Sequence, residues 1–232
     1  MKQLKASLFT AAFLLLLPLA LQAHGIGSSD QHILSEGGLL AYVYVGAKHM
    51  VTGYDHLLFL VGVLFFLRNF GDIVRFITVF TLGHSITLIG ATYLGIRADE
   101  HLVDGLIAVS VIYKGFENLG GFERVFHTKS PNLLGMVFVF GLIHGFGLST
   151  RLQSFALGME QFLAKIVCFN IGVEVGQIVA LIPIVFIISK WRDRENYATF
   201  YTVVNWGLVV AGIALLIFQV YDHFHMVWYH SS

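Results

Sequence analysis

Residues 199–221 read TFYTVVNWGLVVAGIALLIFQVY, a run without one charged side chain. A membrane crossing needs about 20 predominantly apolar residues, and this run supplies them. Working back along the chain, stretches of the same kind occupy 162–189, 133–150, 104–121 and 74–94. A longer apolar region, 38–67, exceeds what one straight crossing uses, and Gly53 inside it offers a place to bend. Pro183 within 162–189 predicts a kink.

Composition agrees. Of 232 residues 56% are hydrophobic and 12% charged, against roughly a quarter charged in soluble domains. The expected fold is an all-α membrane protein with about six transmembrane helices in one bundle. The formal charge is zero, so no footprint for nucleic acid exists, and the expected surroundings are a lipid bilayer. The single cysteine, Cys168, excludes an internal disulfide and a thiolate zinc site.

The N-terminus reads as a signal peptide over 1–23. Lys2 and Lys5 supply the positive end and Leu8 to Leu17 the apolar core, with cleavage expected after Ala23. Residues 24–232 then form a single polytopic membrane domain. Arg68, Arg75, Arg124, Lys129, Lys190, Arg192 and Arg194 fall in loops on one side, and Lys48, Arg97, Arg151 and Lys165 on the other. The richer side is cytoplasmic by the positive-inside rule. That orients the chain in a bacterial inner membrane with the mature N-terminus and the C-terminus periplasmic.

Function in such a chain shows in what it keeps inside the membrane at a cost. The first span keeps His49, Asp55 and His56; the second Thr81, His84 and Ser85; the third Ser110, Lys114, Glu117 and Asn118. The fourth keeps His144, and the fifth Asn170, Glu174 and Gln177. Spacings of three, four and seven put each set on one helix face, and polar stripes in lipid must face one another. His49 and His56 would lie about 10.5 Å apart along a straight helix, so they are either successive stations or are brought together by a bend at Gly53. Imidazole and carboxylate together suit a divalent transition metal such as nickel, cobalt, copper or zinc. His49, Asp55, His56, His84, His144, Glu174, Asn170 and Glu117 are the candidate ligands and ligand supports. A structural hydrogen-bond network is the competing reading, above all for Lys114 with Glu117. Six further histidines, His24, His32, His101, His223, His225 and His230, fall on the outer side and offer a place to gather cations.

No HExxH, GxSxG or P-loop occurs, and no nucleophile is paired with a base. The chain is therefore not read as an enzyme.

The run His49-Met-Val-Thr-Gly-Tyr-Asp55-His56 resembles the H-x5-D-H signature of the HupE/UreJ family. The runs Phe80-Thr-Leu-Gly-His84-Ser-Ile-Thr, Gly141-Leu-Ile-His144-Gly-Phe-Gly and Phe169-Asn-Ile-Gly-Val-Glu174 are similar to it as well, so the resemblance covers about 40 to 220. It implies a nickel or cobalt permease in which His49, Asp55 and His56 matter for transport. The fourth span departs from the nickel-permease pattern F-H-G-x-[AV]-H-G-x-E. Gly141, His144 and Gly145 are kept, but Phe140 replaces the first histidine and Gly147 the glutamate. The chain looks like the second branch of the family, with Glu174 or Glu117 as a replacement acid. The expected function is a secondary permease for a divalent transition-metal cation through an intramembrane His/Asp/Glu site. An intramembrane metal-dependent enzyme, or a membrane accessory subunit for metalloenzyme maturation, stays open as an alternative, as does a homo-oligomer.

Overall fold

The computed structural model describes residues 28–65, 67, 69–154 and 161–231, so the expected signal peptide and His24 lie outside the described residues. The fold is all-helical, 86% helix with no strand among the described residues. The helices are α1 (Ser28–Glu36), α2 (Leu39–Thr52), α3 (Tyr54–Leu64), α4 (Phe70–Leu94) and α5 (Glu100–Asn118). They continue with α6 (Gly121–Val125), α7 (Leu133–Ser154), α8 (Phe162–Arg192) and α9 (Tyr197–Ser231).

Among the described residues, four helices are long and apolar enough to cross a membrane: Gly71–Leu94, Leu133–Gln153, Phe162–Arg192 and Tyr197–His225. The other two expected crossings fall short for definite reasons. The first is interrupted, with 14 residues in α2 and 11 in α3. The third, α5, carries Glu100, Asp104, Lys114 and Glu117 within 19 residues. Helix α8 continues through Pro183. Leu82, Ile86, Ile182, Phe186, Ile213 and Ile217 are exposed on the outside of the bundle. An apolar exterior of that extent fits hydrocarbon better than water.

Local chemistry sets the ends. Asn69 accepts from the Asp72 amide at the start of α4, and Asp99 from the Leu102 amide at the start of α5. Gly95 closes α4 with φ 66°, the left-handed stop that glycine adopts without penalty.

Packing is organised as three close helix pairs, α4 with α7, α2 with α8 and α5 with α9, and α3 lies among α5, α8 and α9. Glycine sits at each seam. A Cβ on Gly83 would lie 2.5 Å from the Phe138 carbonyl oxygen, and one on Gly141 2.3 Å from that of Phe80. Gly46 and Gly172 do the same between α2 and α8, facing Phe169 O and Val43 O, and Gly115 faces Asn205 O between α5 and α9. Between helices that share a lipid solvent, close backbone approach and dispersion replace the hydrophobic effect as the force of association.

The colliding atoms at Gly141 are backbone and have no rotamer through which to move aside. Gly141→Val is therefore expected to cost about 1–3 kcal/mol. A lowered melting temperature of the detergent-solubilised protein would register this, whereas Gly90→Ala, where a Cβ meets nothing within 4 Å, is expected to leave the melting temperature unchanged.

Candidate metal centre

The break between α2 and α3 builds the site. Gly53 is extended (φ −71°, ψ 96°), its amide still bonded to the His49 carbonyl oxygen. Its own carbonyl accepts from Leu57, so the two helices meet at one residue. The turn of direction brings the His49 and His56 rings to 5.1 Å between centroids, well under their spacing on a straight helix. There is no room for a side chain at the break: a Cβ on Gly53 would lie 2.7 Å from His56 Nδ1 and 3.1 Å from Asp55 Oδ1. Asp55 sits in the first turn of α3, where the helix dipole favours a carboxylate.

Helix α7 supplies the third member. The His144 ring stands 4.7 Å from that of His56. Ligand atoms of Asp55, His56 and His144 all lie within 4.8 Å of one another, and all three residues are buried. This group could hold a metal ion. His49 is half-buried.

Three histidines have one ring nitrogen fixed. His144 Nδ1 is 2.7 Å from the Phe140 carbonyl oxygen; a carbonyl only accepts, so Nδ1 donates. His56 Nδ1 donates to Asp55 Oδ1 at 2.9 Å, and His84 Nδ1 to Asn170 Oδ1 at 3.1 Å. In the neutral ring each arrangement leaves Nε2 with its lone pair. The His144 Nε2 is buried without a hydrogen-bond partner. Orienting one nitrogen through an acceptor while the other stays available is how proteins prepare histidine ligands.

Not every expected residue joins. His84 is buried and bound to Asn170 on α8, and Thr81 donates to Gln177 Oε1 one turn away. Glu174 is exposed. Helix α8 points Phe169, Val173, Gln177 and Ala180 inward, and at about 100° per residue Glu174 falls roughly a quarter turn off that face, between the exposed Ile171 and Ile178. Glu117 is buried but pairs with Lys114 at 2.6 Å, apart from the three-residue group.

Sequence reasoning also passed over two features. Arg151, counted there as a loop charge, binds Asp104 and Glu100 of α5, with Asp104 Oδ2 also 3.5 Å from Gln219 Nε2 of α9. Their signal was an acid and a base at the ends of two apolar segments expected to be neighbours. Against the other side of the cluster lie four buried rings, Phe59, Phe76, Phe80 and Phe140. Phe59 is 5.0 Å from Phe140, and the His144 ring is 5.9 Å from Phe59 and 5.4 Å from Phe80.

A family model described as HupE / UreJ protein matches residues 29–224. No curated protein and no solved structure matches the chain.

Gly53→Ala drives a methyl group into both His56 and Asp55. Cobalt binding to the purified protein, followed by its visible absorption, is expected to weaken about 10–100-fold, the range for disturbed ligand supports, with helical content preserved.

Proposed function

We propose a function for this centre from one premise: the chain belongs to the HupE/UreJ family. That family is one of transport and accessory proteins and not of enzymes, and with four apolar helices the chain is a membrane protein. The function we infer is a secondary permease that carries a divalent transition-metal cation, nickel or cobalt, across the inner membrane. Asp55, His56 and His144 hold the ion in passage. His49 receives it on the half-buried side, and His84, oriented by Asn170, stands next to the cluster as a further donor.

The observation that carries this reading is the buried His144 Nε2 with no hydrogen-bond partner. An unpaired polar atom in the interior costs about 1–3 kcal/mol, and a passing cation is the partner that would remove the cost. Two imidazoles and one carboxylate make a mixed nitrogen and oxygen set suited to nickel, cobalt or zinc. Three protein donors leave coordination positions open, unlike the closed four-ligand set of a structural zinc. An ion so held can leave, which transport requires.

The topology in this reading has six crossings. Helices α2 and α3 together make the first, broken one; α4, α5, α7, α8 and α9 make the rest. Residues 1–23 act as a signal peptide, and both mature termini face the periplasm. Arg151, Asp104 and Glu100 then lie toward the periplasm and Lys114 and Glu117 toward the cytoplasm.

Uptake of radiolabelled nickel into proteoliposomes tests the proposal. His56→Ala and His144→Ala are each expected to lower the initial rate about tenfold or more. His127→Ala, an exposed loop residue, should leave it unchanged. Unchanged uptake in both cluster variants would overturn the permease reading and return the chain to an accessory role.

A further inference from the structure

At the end of the bundle away from Arg151, a second buried polar cluster goes unused by the cation centre. Lys114 and Glu117 stand one turn apart on α5, at 1% and 6% exposure, with Nζ 2.6 Å from Oε2. Gly62 of α3 makes room for the lysine stem: a Cβ there would lie 2.7 Å from Lys114 Cγ. Asn118 donates to Gly62 O at 2.8 Å and to Asn205 of α9, and its carbonyl accepts from the Tyr201 hydroxyl at 2.6 Å. Tyr113 and Tyr201 are ionisable groups that lie close enough to Glu117 to feel its charge. The Tyr113 hydroxyl is buried with no hydrogen-bond partner. From α7 the cluster receives Phe140, whose ring lies 5.5 Å from that of Tyr113, and α6 adds Phe122 at the same distance.

A buried ion pair is a poor device for stability, because apolar residues of equal volume hold helices as well or better. Ionisable groups kept at membrane depth instead mark ion pathways and proton relays. The cluster around the pair also connects with the cation centre, through Tyr113 and Phe140. The Phe140 ring packs on Tyr113 and its carbonyl holds His144 Nδ1.

Building on the permease reading, we propose that Lys114 and Glu117 form a proton-binding site that couples proton movement to cation passage, with the Glu117 carboxylate taking the proton. The only bond made and broken is an O–H bond on Glu117. Protonation turns a carboxylate and ammonium of zero net charge into one positive charge. That charge and a dication in the Asp55–His56–His144 cluster repel each other through an interior that salt does not screen. The two sites therefore favour opposite occupancy, which is the condition for exchanging a cation against protons. Tyr113, with its uncommitted hydroxyl, is placed to pass the proton.

The test uses proteoliposomes of the full chain with nickel as the probe and two readouts. One is exchange of labelled for unlabelled nickel at equal pH. The other is proton movement, followed by an entrapped pH dye when a nickel gradient is imposed. Wild type is expected to do both. Glu117→Gln alone would strand the Lys114 ammonium, so the double variant Lys114→Gln/Glu117→Gln is used: it carries zero net charge, like the unprotonated pair, and has no carboxylate to bind the proton. Its exchange should stay within about twofold of wild type while the dye response falls about tenfold. Glu117→Asp, still ionisable, should restore part of that response. The proposal is overturned by nickel exchange without proton movement in wild type. Wild-type dye responses in the double variant overturn it too, as does loss of exchange together with proton movement in that variant, the mark of a structural pair. Failure of wild type to exchange nickel at all instead rejects the permease reading beneath it.

Discussion

A lone pair on a buried imidazole nitrogen has to meet either a proton donor or a cation, and much of this molecule arranges that it meets no donor. His144 gives its Nδ1 proton to the carbonyl of its own helix, and His56 and His84 give theirs to Asp55 and Asn170. Each acceptor comes from a place that the fold has to hold steady: a helix carbonyl, the first turn of α3, and the facing side of α8. The glycine seams between α4 and α7 and between α2 and α8 bring these places close enough. Packing at Gly141 and Gly145 next to His84 thus reaches the nitrogen chemistry at His144. The order of causes runs from small residues, through close backbones, to the orientation of rings.

The helical architecture was legible because hydrocarbon imposes a simple rule on composition, and residues such as 199–221 obey it without exception. The break at Gly53 was legible as a possibility, since an apolar run longer than a bilayer needs some interruption. Its effect on His49 and His56 was legible only as one of two alternatives, because the angle between α2 and α3 is set by what they pack on. His56, Asp55 and His144 were identified by residue type. Glu174 shows the limit of spacing arguments: it shares a periodicity with Asn170 and Gln177, yet the inward face of α8 is centred nearer Val173. Only the neighbours of a helix fix where its inward face lies. The Phe140 carbonyl was beyond sequence reasoning altogether, because any residue at that position presents one.

The charged residues divide by depth in a way that a count of loop charges cannot express. At one end, Arg151, Asp104 and Glu100 neutralise one another, with Gln219 beside them. At the other, Lys114 and Glu117 do so between α3 and α9. The Asp55, His56 and His144 group offers imidazole and one carboxylate.

The four phenylalanines packed beside His144, Phe59 among them, bear on how fast such a molecule can work. Rings at centroid separations of 5.0 to 6.3 Å set an apolar aromatic block against one side of the cluster. An ion stripped of its hydration shell does not cross an aromatic plug by diffusion; the plug has to part and reform around each one. If the chain is the permease proposed above, its turnover is paced by side-chain and helix rearrangement, giving the saturable, steeply temperature-dependent flux of a carrier in place of the ohmic current of an open pore.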